Sequence, residues 1–405
     1  MLLLKLAWRN LFRNVRRTLL TVMLVGFSLV ALILTDGIMI GIQESMVGTI
    51  TQTLAGEAQI HRRGFLDDMD EALFIADPEP IIELVEANEA IAAYAPRVLS
   101  AGMISSSYNI AGGLVYGVDA DREISVSKIK QAIIEGEYLS GSPRQILLGM
   151  PMAELLEVSL GDRIVVTVSE VETGEIGQEL FRLSGILEFG VPEIDEGLVF
   201  INLGVAQRVI GLDEGVHEIA VRFKNPKDAK NRNHAFYSEV NDDDIEALSW
   251  LDLSSAISSF IEIADYGTLI IGIVLFLLAA LGLINSLFMS IYERIYEFGV
   301  AKAIGTTPRG IVGLVMLESF LIALVSCAIG SILGYYVNSW FEANGIPMGT
   351  FEVEGVVLQG VYTKVVIEQF VTLPFYVVLL VLVAAIYPAM FASRIVTATA
   401  LQRSL

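Results

Sequence analysis

Cysteine and histidine are almost absent from this chain. Its one cysteine, Cys327, lies within a long apolar run, so no disulfide can form within the chain. The three histidines, His61, His217 and His234, are far apart and lack the spacing of metal ligands. We therefore predict no metal site and expect all three histidines to lie on the surface.

The sequence also lacks the motifs of common catalytic sites. The phosphate-binding pattern G-x-x-x-x-G-K-[ST] is absent, and so is the G-x-S-x-G nucleophile motif. The aspartates at 67, 68 and 70 lack the glycine and the closing glutamate of a calcium loop. We predict no catalytic residue and no cofactor in this chain, and expect that the chain does not hydrolyse ATP.

Positive charge is scarce, with 26 Lys and Arg against 47 Asp and Glu. The imbalance lies in residues 48–262, which hold 15 basic and 37 acidic residues, a formal charge of 15 − 37 = −22. So acidic a surface disfavours nucleic acid as a partner. It is either a solvated surface that keeps the segment soluble or an acidic binding site, and the first interpretation is favoured.

Apolar residues, in contrast, form four long runs. These are 19–42, 267–291, 311–337 and 370–390, and each is long enough to cross a bilayer, for which about 20 residues suffice. The first run exceeds the roughly 7–15 apolar residues of a signal peptide and has no Ala-x-Ala exit, so we expect a retained anchor. The predicted fold class is a membrane protein with four transmembrane α-helices. A large α+β extracytoplasmic domain, 48–262, is inserted between helices 1 and 2.

The basic residues near the span ends predict the orientation. They cluster before the first span, between the second and third spans, and after the fourth. We therefore expect both termini, the loop 292–310 and the tail 391–405 on the cytoplasmic side of a bacterial inner membrane, and the loop 341–369 outside. Residues 1–18 alternate apolar and basic faces, which predicts either an amphipathic helix at the inner bilayer surface or a simple extension of the first span.

Within 48–262 the patterning alternates short strands and helices. Alternating residues flank a polar turn in 161–190, which predicts a β-hairpin. Apolar spacing predicts a helix over 79–94, and 234–266 is expected to be mostly helical. Further strands are expected at 56–61, 98–106, 113–119, 197–203 and 217–224.

Polar residues inside the apolar runs are costly in a bilayer and are candidates for helix interfaces. Glu318 lies well inside the third run, and Asn285 and Ser286 of the second run could lie at similar depth; Asp36 lies in the outer part of the first. Glu318 belongs either to a moving helix interface or to a static interhelical hydrogen bond, and the static interpretation is favoured.

The loop 292–310 carries signals at both of its ends. Glu293 and Glu297 are spaced i, i+4 for one helix, which Gly305 can end with a positive φ. Thr307 can cap the next helix, with Pro308 at its first position. A docking element for another protein is favoured over an ordinary charged turn, and Gly299 would allow close approach.

Two motifs resemble the FtsX-like permease family. EFGVAKAIGTTPRGI is similar to the family's loop between its second and third spans, with Glu297, Gly299, Lys302, Ala303, Gly305 and Ile311 in the motif positions. In that family the loop forms a coupling helix that docks into an ATPase subunit, which implies this role for these residues and Glu293. IYPAMFASRIVTATAL resembles the family's closing motif. Its Tyr387, Pro388 and Arg394 join Asp36, Asn285 and Glu318 as helix-interface candidates.

Three further stretches resemble the LolC and LolE lipoprotein-release permeases and MacB. They are LAWRNLFRNVRRTLLT, VYGVDADRE and ILLGMPMAELLEVSLGDRIVVTV. Pro308 and Thr397 depart from the family pattern, and unlike MacB the chain has no ATPase domain. The resemblance divides the extracytoplasmic domain into a proximal part, 48–110 with 215–262, and an inserted β-rich part, 111–214.

The resemblance implies a permease subunit of an ABC transporter. Its expected partners are a separate ATPase, a second permease in a homo- or heterodimer, the lipid bilayer, and a periplasmic carrier, adaptor or lipoprotein. ATP hydrolysis would move the external domains, as in lipoprotein release. Two alternatives are an FtsX-like signalling scaffold that activates a partner such as a cell-wall hydrolase, and a membrane anchor that works without an ATPase.

Overall fold

A computed structural model describes residues 2–171, 173–190, 192–253, 255–353 and 356–395. The chain divides into two compact units. The helix unit comprises Met1–Gln43, Ile261–Gly349 and Gly360–Leu405, and the sheet unit comprises Glu44–Phe260 and Thr350–Gln359. Most of the predicted tail, residues 396–405, lies outside the described residues.

Fifteen α-helices run through the described part of the chain. They are α1 (Leu2–Leu11), α2 (Val15–Ile50), α3 (Phe65–Asp68), α4 (Glu79–Ala87), α5 (Ala120–Val126), α6 (Met150–Leu155), α7 (Pro192–Gly197), α8 (Leu203–Ile210), α9 (Pro226–Lys230), α10 (Ala235–Val240), α11 (Trp250–Leu253), α12 (Ser255–Glu293), α13 (Ile295–Ala303), α14 (Pro308–Asn344) and α15 (Gln369–Arg394). A π-helical turn, Thr51–Ala55, extends α2.

Twelve strands accompany them in the same residues. They are β1 (Ala58–Arg62), β2 (Ile91–Ser105), β3 (Ile110–Val118), β4 (Ile133–Gly136), β5 (Gln145–Gly149), β6 (Arg163–Ser169), β7 (Ile176–Leu187), β8 (Leu198–Asn202), β9 (Glu218–Phe223), β10 (Ile245–Ser249), β11 (Ile346–Val353) and β12 (Val356–Val361).

Four helices of the described chain are long and apolar enough to cross a membrane. They are Val15–Ala55, Ser258–Glu293, Pro308–Asn344 and Gln369–Arg394, and each contains one of the four predicted spans. A shared apolar core of Leu29, Leu283, Ala323 and Val381 joins them. The predicted four-helix membrane fold is therefore confirmed.

Small residues bring α2 and α14 close together. A Cβ added to Gly330 would come within 2.9 Å of the Gly26 carbonyl oxygen, so the backbones are nearly in contact there. Glycine permits such an approach between helices that both face lipid tails, where packing rather than the hydrophobic effect stabilises association.

Two segments of the helix unit differ from the expectation. The first helix ends at Leu11 and a turn over residues 12–14 precedes α2, so 1–18 is not one continuous helix. The predicted outer loop 341–369 contains the two-stranded sheet of β11 and β12.

In the sheet unit, six strands close into a barrel in the order β2–β3–β8–β5–β7–β6, with β6 returning to β2. Closure depends on the 15-residue β2, because its first half pairs with β9 and its second half with β6. Inward-facing apolar residues such as Ile104, Val166 and Phe181 fill the barrel. The predicted boundary at 110/111 falls at the first residue of β3, inside the long β2–β3 hairpin.

The predicted hairpin at 161–190 is confirmed as β6 and β7, which pair in antiparallel register from Arg163↔Arg182 to Ser169↔Ile176. Strict alternation determines this outcome, because buried Ile164, Val166 and Val168 alternate with more exposed residues along β6.

Two helical predictions for the sheet unit hold only in part. The helix predicted over 79–94 stops at Ala87, and β2 begins at Ile91 because that segment pairs with β9. Residues 234–266 are mostly helical, as predicted, but residues 245–249 form β10, which pairs with β1 at the edge of the sheet. Tertiary pairing overrides helical spacing in both places.

The expectation of surface histidines is also wrong for two of the three. His61 and His217 are fully buried, on either side of Phe65, whose ring stacks 5.5 Å from each. His217 Nδ1 accepts from the Leu99 amide, and its Nε2 lies 2.9 Å from the Glu71 carbonyl oxygen.

Next to them lies a buried charge cluster centred on Arg97. Its guanidinium donates to both carboxylate oxygens of Glu123, at 3.0 and 2.7 Å, and to Glu218 at 2.5 Å. It also donates to the carbonyl of Leu54, at 2.6 Å, in the π-helical turn that ends the first long helix. Arg97 therefore ties the end of that helix to the sheet.

Candidate coupling site between the second and third long helices

The turn at Arg294 separates α12 from α13. α12 ends at Glu293, and Arg294, with φ −110° and ψ 14°, leaves the helical conformation before α13 begins at Ile295. Glu293 and Glu297 therefore lie on different helices, and the expectation that one helix carries both is wrong. The reason is that the Arg294 side chain turns inward to a buried partner.

That partner is Glu318, about three turns into α14. Arg294 Nη1 donates to both Glu318 carboxylate oxygens, at 2.9 and 3.0 Å, and Asn10 Nδ2 of α1 donates to one of them at 2.5 Å. Glu318 and Arg294 are each 8 % exposed. A buried carboxylate thus joins α1, α14 and the α12–α13 turn.

The two loop glutamates extend this network. Glu297 forms ion pairs with Arg294, at 3.2 Å, and with Arg13. Glu293 pairs with Arg17 at 2.6 Å. Glu293, Arg294 and Glu318 line a cavity of about 110 Å³, together with Thr21, Ser286 and Ser290.

Lys302 is also bonded within the chain. Its Nζ donates to the carbonyls of Ser393 and Ile395, at 2.6 and 2.8 Å, where α15 ends. A cation at a helix C-terminus satisfies free carbonyls and complements the helix dipole. Glu297 and Lys302 therefore hold α13 to the α1–α2 turn and to the end of α15, and Glu293 holds the end of α12 to α2.

The end of α13 and the start of α14 form as predicted. Gly305 follows α13 with φ +103°, a conformation that favours glycine. Thr307 caps α14, its hydroxyl accepting from the Gly310 amide at 3.3 Å, and Pro308 occupies the first helical position.

The remaining surface of α13 is uncharged and exposed. Phe298 and Gly299 face inward, whereas Tyr296 is 50 % and Ile304 82 % exposed, beside exposed Ala303 and Gly305. We call residues 303–307 together with Tyr296 the α13 tip. The sequence analysis missed Ile304 and Tyr296; an isoleucine directly before a helix-ending glycine was the available signal.

The helix-interface candidates separate into two groups. Asp36 accepts from Gln369 Nε2 at 2.8 Å, Pro388 is buried in α15, and the Tyr387 ring lies 5.5 Å from that of Phe288. Asn285 and Arg394 are exposed in this chain. Of the two residues predicted at the depth of Glu318, Asn285 faces outward, whereas Ser286 lines the same cavity as Glu318 and its hydroxyl lies 2.6 Å from that of Thr21.

Among the described residues, no three His, Cys, Asp or Glu side chains are placed to hold a metal ion. The site contains hydrogen-bonding and ion-pairing groups that link helices. These contacts hold the neighbouring helices together.

Two known family models match most of the chain. The MacB-like periplasmic core domain matches residues 18–233, and the FtsX-like permease C-terminal domain matches residues 269–397. The chain belongs to the FtsX-like, MacB-type family of ABC transporter permeases. For this permease, family membership implies an ABC ATPase partner and a place in the bacterial inner membrane as a multi-pass protein.

Curated relatives of the permease include lipoprotein-releasing transmembrane proteins. LolC of Xylella fastidiosa strain 9a5c is 24 % identical over 400 residues, covering 93 % of this chain and 92 % of LolC. An uncharacterised ABC transporter permease of Methanocaldococcus jannaschii is 25 % identical over 225 residues, 54 % of each chain. ABC transporter permease YtrF of Bacillus subtilis is 26 % identical over 137 residues, 34 % of this chain and 30 % of YtrF.

Solved structures similar to the permease are extracytoplasmic domains. The periplasmic region of MacB from Actinobacillus actinomycetemcomitans aligns at TM-score 0.36 and 13 % identity, covering 51 % of this chain and 92 % of that one. The extracellular domain of the Gram-positive transporter YknZ aligns at TM-score 0.33 and 11 % identity, covering 42 % and 88 %.

Proposed function

We propose that this chain is the non-catalytic permease subunit of an ABC transporter. A separate ATPase docks on the α13 tip, and its ATP hydrolysis drives movement of the sheet unit on the extracytoplasmic side. The chain itself binds no nucleotide, and its termini and the 292–310 loop face the cytoplasm. Two permeases pair in the complex.

The observation that carries this proposal is the division of roles within α13. Glu297 pairs with Arg13, Lys302 bonds to the end of α15, and Arg294 just before the helix bonds to Glu318 of α14. The outer end of α13 presents Ile304 almost fully exposed. An exposed apolar side chain on a rigidly held helix suits insertion into a pocket of a partner, as interface anchors do. Force applied there would pass through Arg294 to Glu318 and on to three helices.

We further propose that the substrate is an amphiphile such as a lipoprotein. LolC, whose name describes lipoprotein release, is similar to this chain over 93 % of its length. Charged residues are also rare in the apolar spans, which suits a substrate that is moved on one side of the membrane better than an ion passing through a polar pore.

Co-purification with the natural ATPase tests the docking proposal. Ile304→Glu places a charge at the centre of the proposed contact, and we expect the retained ATPase to fall at least about tenfold, as for an interface anchor worth 2 kcal/mol or more. Ile367→Glu is the matched control, because Ile367 is 78 % exposed and lies outside the loop; it should retain the ATPase.

Glu297→Arg is a second variant, which breaks the pairs with Arg13 and Arg294 that hold α13. It should also release the ATPase. If both Ile304→Glu and Glu297→Arg retained the ATPase as well as the unmodified chain does, the coupling site would have to be placed elsewhere.

A further inference from the structure

One wall of the barrel in the sheet unit is uncovered and uncharged. Strands β3, β2, β6 and β7 lie side by side there, and their outward residues form rows across the wall. Exposed Ile110, Met103, Leu180 and Ile176 are part of these rows. Ten uncharged outward positions make up its middle: Ser105, Ile110, Gly112, Met103, Val165, Thr167, Ser169, Ile176, Gln178 and Leu180.

The absence of charge from these ten positions is notable in this segment. Residues 48–262 carry 37 acidic side chains and a net charge of −22. Two such bodies repel each other, and the repulsion is smallest where they meet through a surface without carboxylates, because salt screens the more distant charges. This wall is such a surface.

Charges of opposite sign mark the two ends of the β6–β7 hairpin. At one end Arg163 and Arg182 are directly opposite each other, and Arg144 is adjacent, its carbonyl accepting from the Arg182 amide. Like charges directly opposite destabilise a sheet. None of the three forms an ion pair within the described residues. At the other end, the turn carries Glu170 and Glu175.

We propose that this wall, with its basic and acidic ends, is the contact between the sheet units of two copies of this chain. A two-fold axis near the centre of the hairpin would place the arginines of one copy against the glutamates of the other. Such an arrangement is self-complementary, as a two-fold interface requires. The inference rests on the proposed pairing of two permeases and adds where their sheet units meet.

The size of the wall suits a contact between tethered partners. Four strands spaced about 4.8 Å apart and seven residues of β6 at about 3.4 Å each give roughly 450 Å². This is about half of the roughly 800 Å² that each partner contributes to a standard interface. Two copies held in one membrane complex have a high effective concentration, so a small contact suffices.

Cross-linking of the full-length chain in complex with its ATPase tests this. On a Cys327→Ser background, Gln178→Cys introduces a thiol next to the expected axis, and Ser238→Cys introduces an exposed thiol on α10 as control. Packed sheets lie about 10 Å apart, so a bismaleimide of similar reach is the suitable reagent. Gln178→Cys should give cross-linked dimer at least about tenfold above Ser238→Cys, the excess expected if only the wall brings the copies together.

Charge reversal provides a sharper measurement. Arg163→Glu with Arg182→Glu should lower the Gln178→Cys yield several-fold, because acidic groups would then face acidic groups. Adding Glu170→Arg and Glu175→Arg restores complementarity with the ends exchanged, and should restore the yield.

Equal yields from Gln178→Cys and Ser238→Cys in a complex with two copies of the chain would overturn the wall contact while leaving the pairing of permeases intact. Failure of the four-fold charge reversal to restore cross-linking would overturn the two-fold arrangement. A complex that contains one copy of this chain together with a different permease, by native mass, would overturn this inference and leave the pairing of permeases intact; a complex with one permease in all would overturn both.

Discussion

At the residue scale, Glu318 makes the most consequential contacts in the helix unit. Apolar spacing indicated its depth in the third span, and its cost in a bilayer marked it as a candidate. Its partners could not be predicted from the sequence. Asn10 lies 308 residues away, and the spacing of Glu293 and Glu297 predicts a continuous helix through Arg294. A single-residue break at 294 has no strong sequence signal.

We predict that Glu318→Gln destabilises the helix unit. It leaves Arg294 buried without its carboxylate, and breaking such a buried pair costs about 3–5 kcal/mol. Glu293→Gln is the control, since its pair with Arg17 is partly exposed and worth about 1 kcal/mol or less. Thermal unfolding of the full-length protein should show a clear loss for the first variant and little for the second; equal losses would contradict the central place given to Glu318.

The buried cluster around Arg97 predicts acid sensitivity of the sheet unit. Burial lowers the pKa of His217 below its usual 6.5, although the Glu71 carbonyl partly opposes this. In the unfolded chain His217 therefore binds a proton near pH 6.5, whereas in the folded chain it does not. The free energy of unfolding falls as the pH drops below that value. Burial alone would raise the pKa of Glu218, but Arg97 and His61 lower it overall, so a second loss begins below about pH 4.5.

Amide hydrogen exchange of β2 and β9 in the full-length protein would measure this dependence. We expect protection to decrease from pH 7 to pH 5, after correction for the intrinsic exchange rate. His217→Gln, whose amide can replace both ring hydrogen bonds, should flatten that first decrease. An unchanged profile in the variant would assign the acid sensitivity to other groups.

At the element scale, local sequence signals predicted where α13 ends and α14 begins better than they predicted the secondary structure of whole segments. Thr307, Pro308 and Gly305 act through short-range hydrogen bonds and backbone conformation, and all three behave as the sequence indicates. The segment 79–94 failed because its second half pairs with β9, more than 120 residues away. The period of apolar residues carries no information about such a distant partner.

The same distinction predicts the effect of two glycine substitutions near the α13 tip. Gly305→Ala forces an alanine to φ +103° and should destabilise the end of α13 by about 1–2 kcal/mol. Gly313→Ala, inside α14 with open space around it, should stabilise its helix by up to about 1 kcal/mol. Hydrogen exchange of residues 295–303 should rise only in the first variant, and a rise in both would mean that the tip is held by something other than the glycine turn.

At the scale of the whole molecule, composition predicted the architecture well. Four apolar runs and one acidic segment correspond to the four long helices and the sheet unit. The closure of six strands into a barrel was not predictable, because it depends on one strand, β2, changing partners from β9 to β6 along its length. The exposed barrel wall follows from that closure and could not be predicted for the same reason.

The predicted orientation can be measured by thiol labelling in intact cells. On the Cys327→Ser background, a membrane-impermeant maleimide should label Ser142→Cys, an exposed position of the sheet unit, without lysis. Thr306→Cys, exposed at the α13 tip, should react only after the membrane is opened. The reverse pattern would invert the topology and remove the docking proposal with it.

The hydrogen bond from Arg97 to the Leu54 carbonyl has a practical consequence for the design of chimaeras. The unit boundary lies at Gln43/Glu44, so the last turns of the first long helix belong with the sheet. A graft that exchanged external domains between two permeases by cutting after Ala55 would separate Leu54 from its arginine. Splicing at residue 43 would carry the helix end and its anchor across together, and hybrids made there should fold where the others do not.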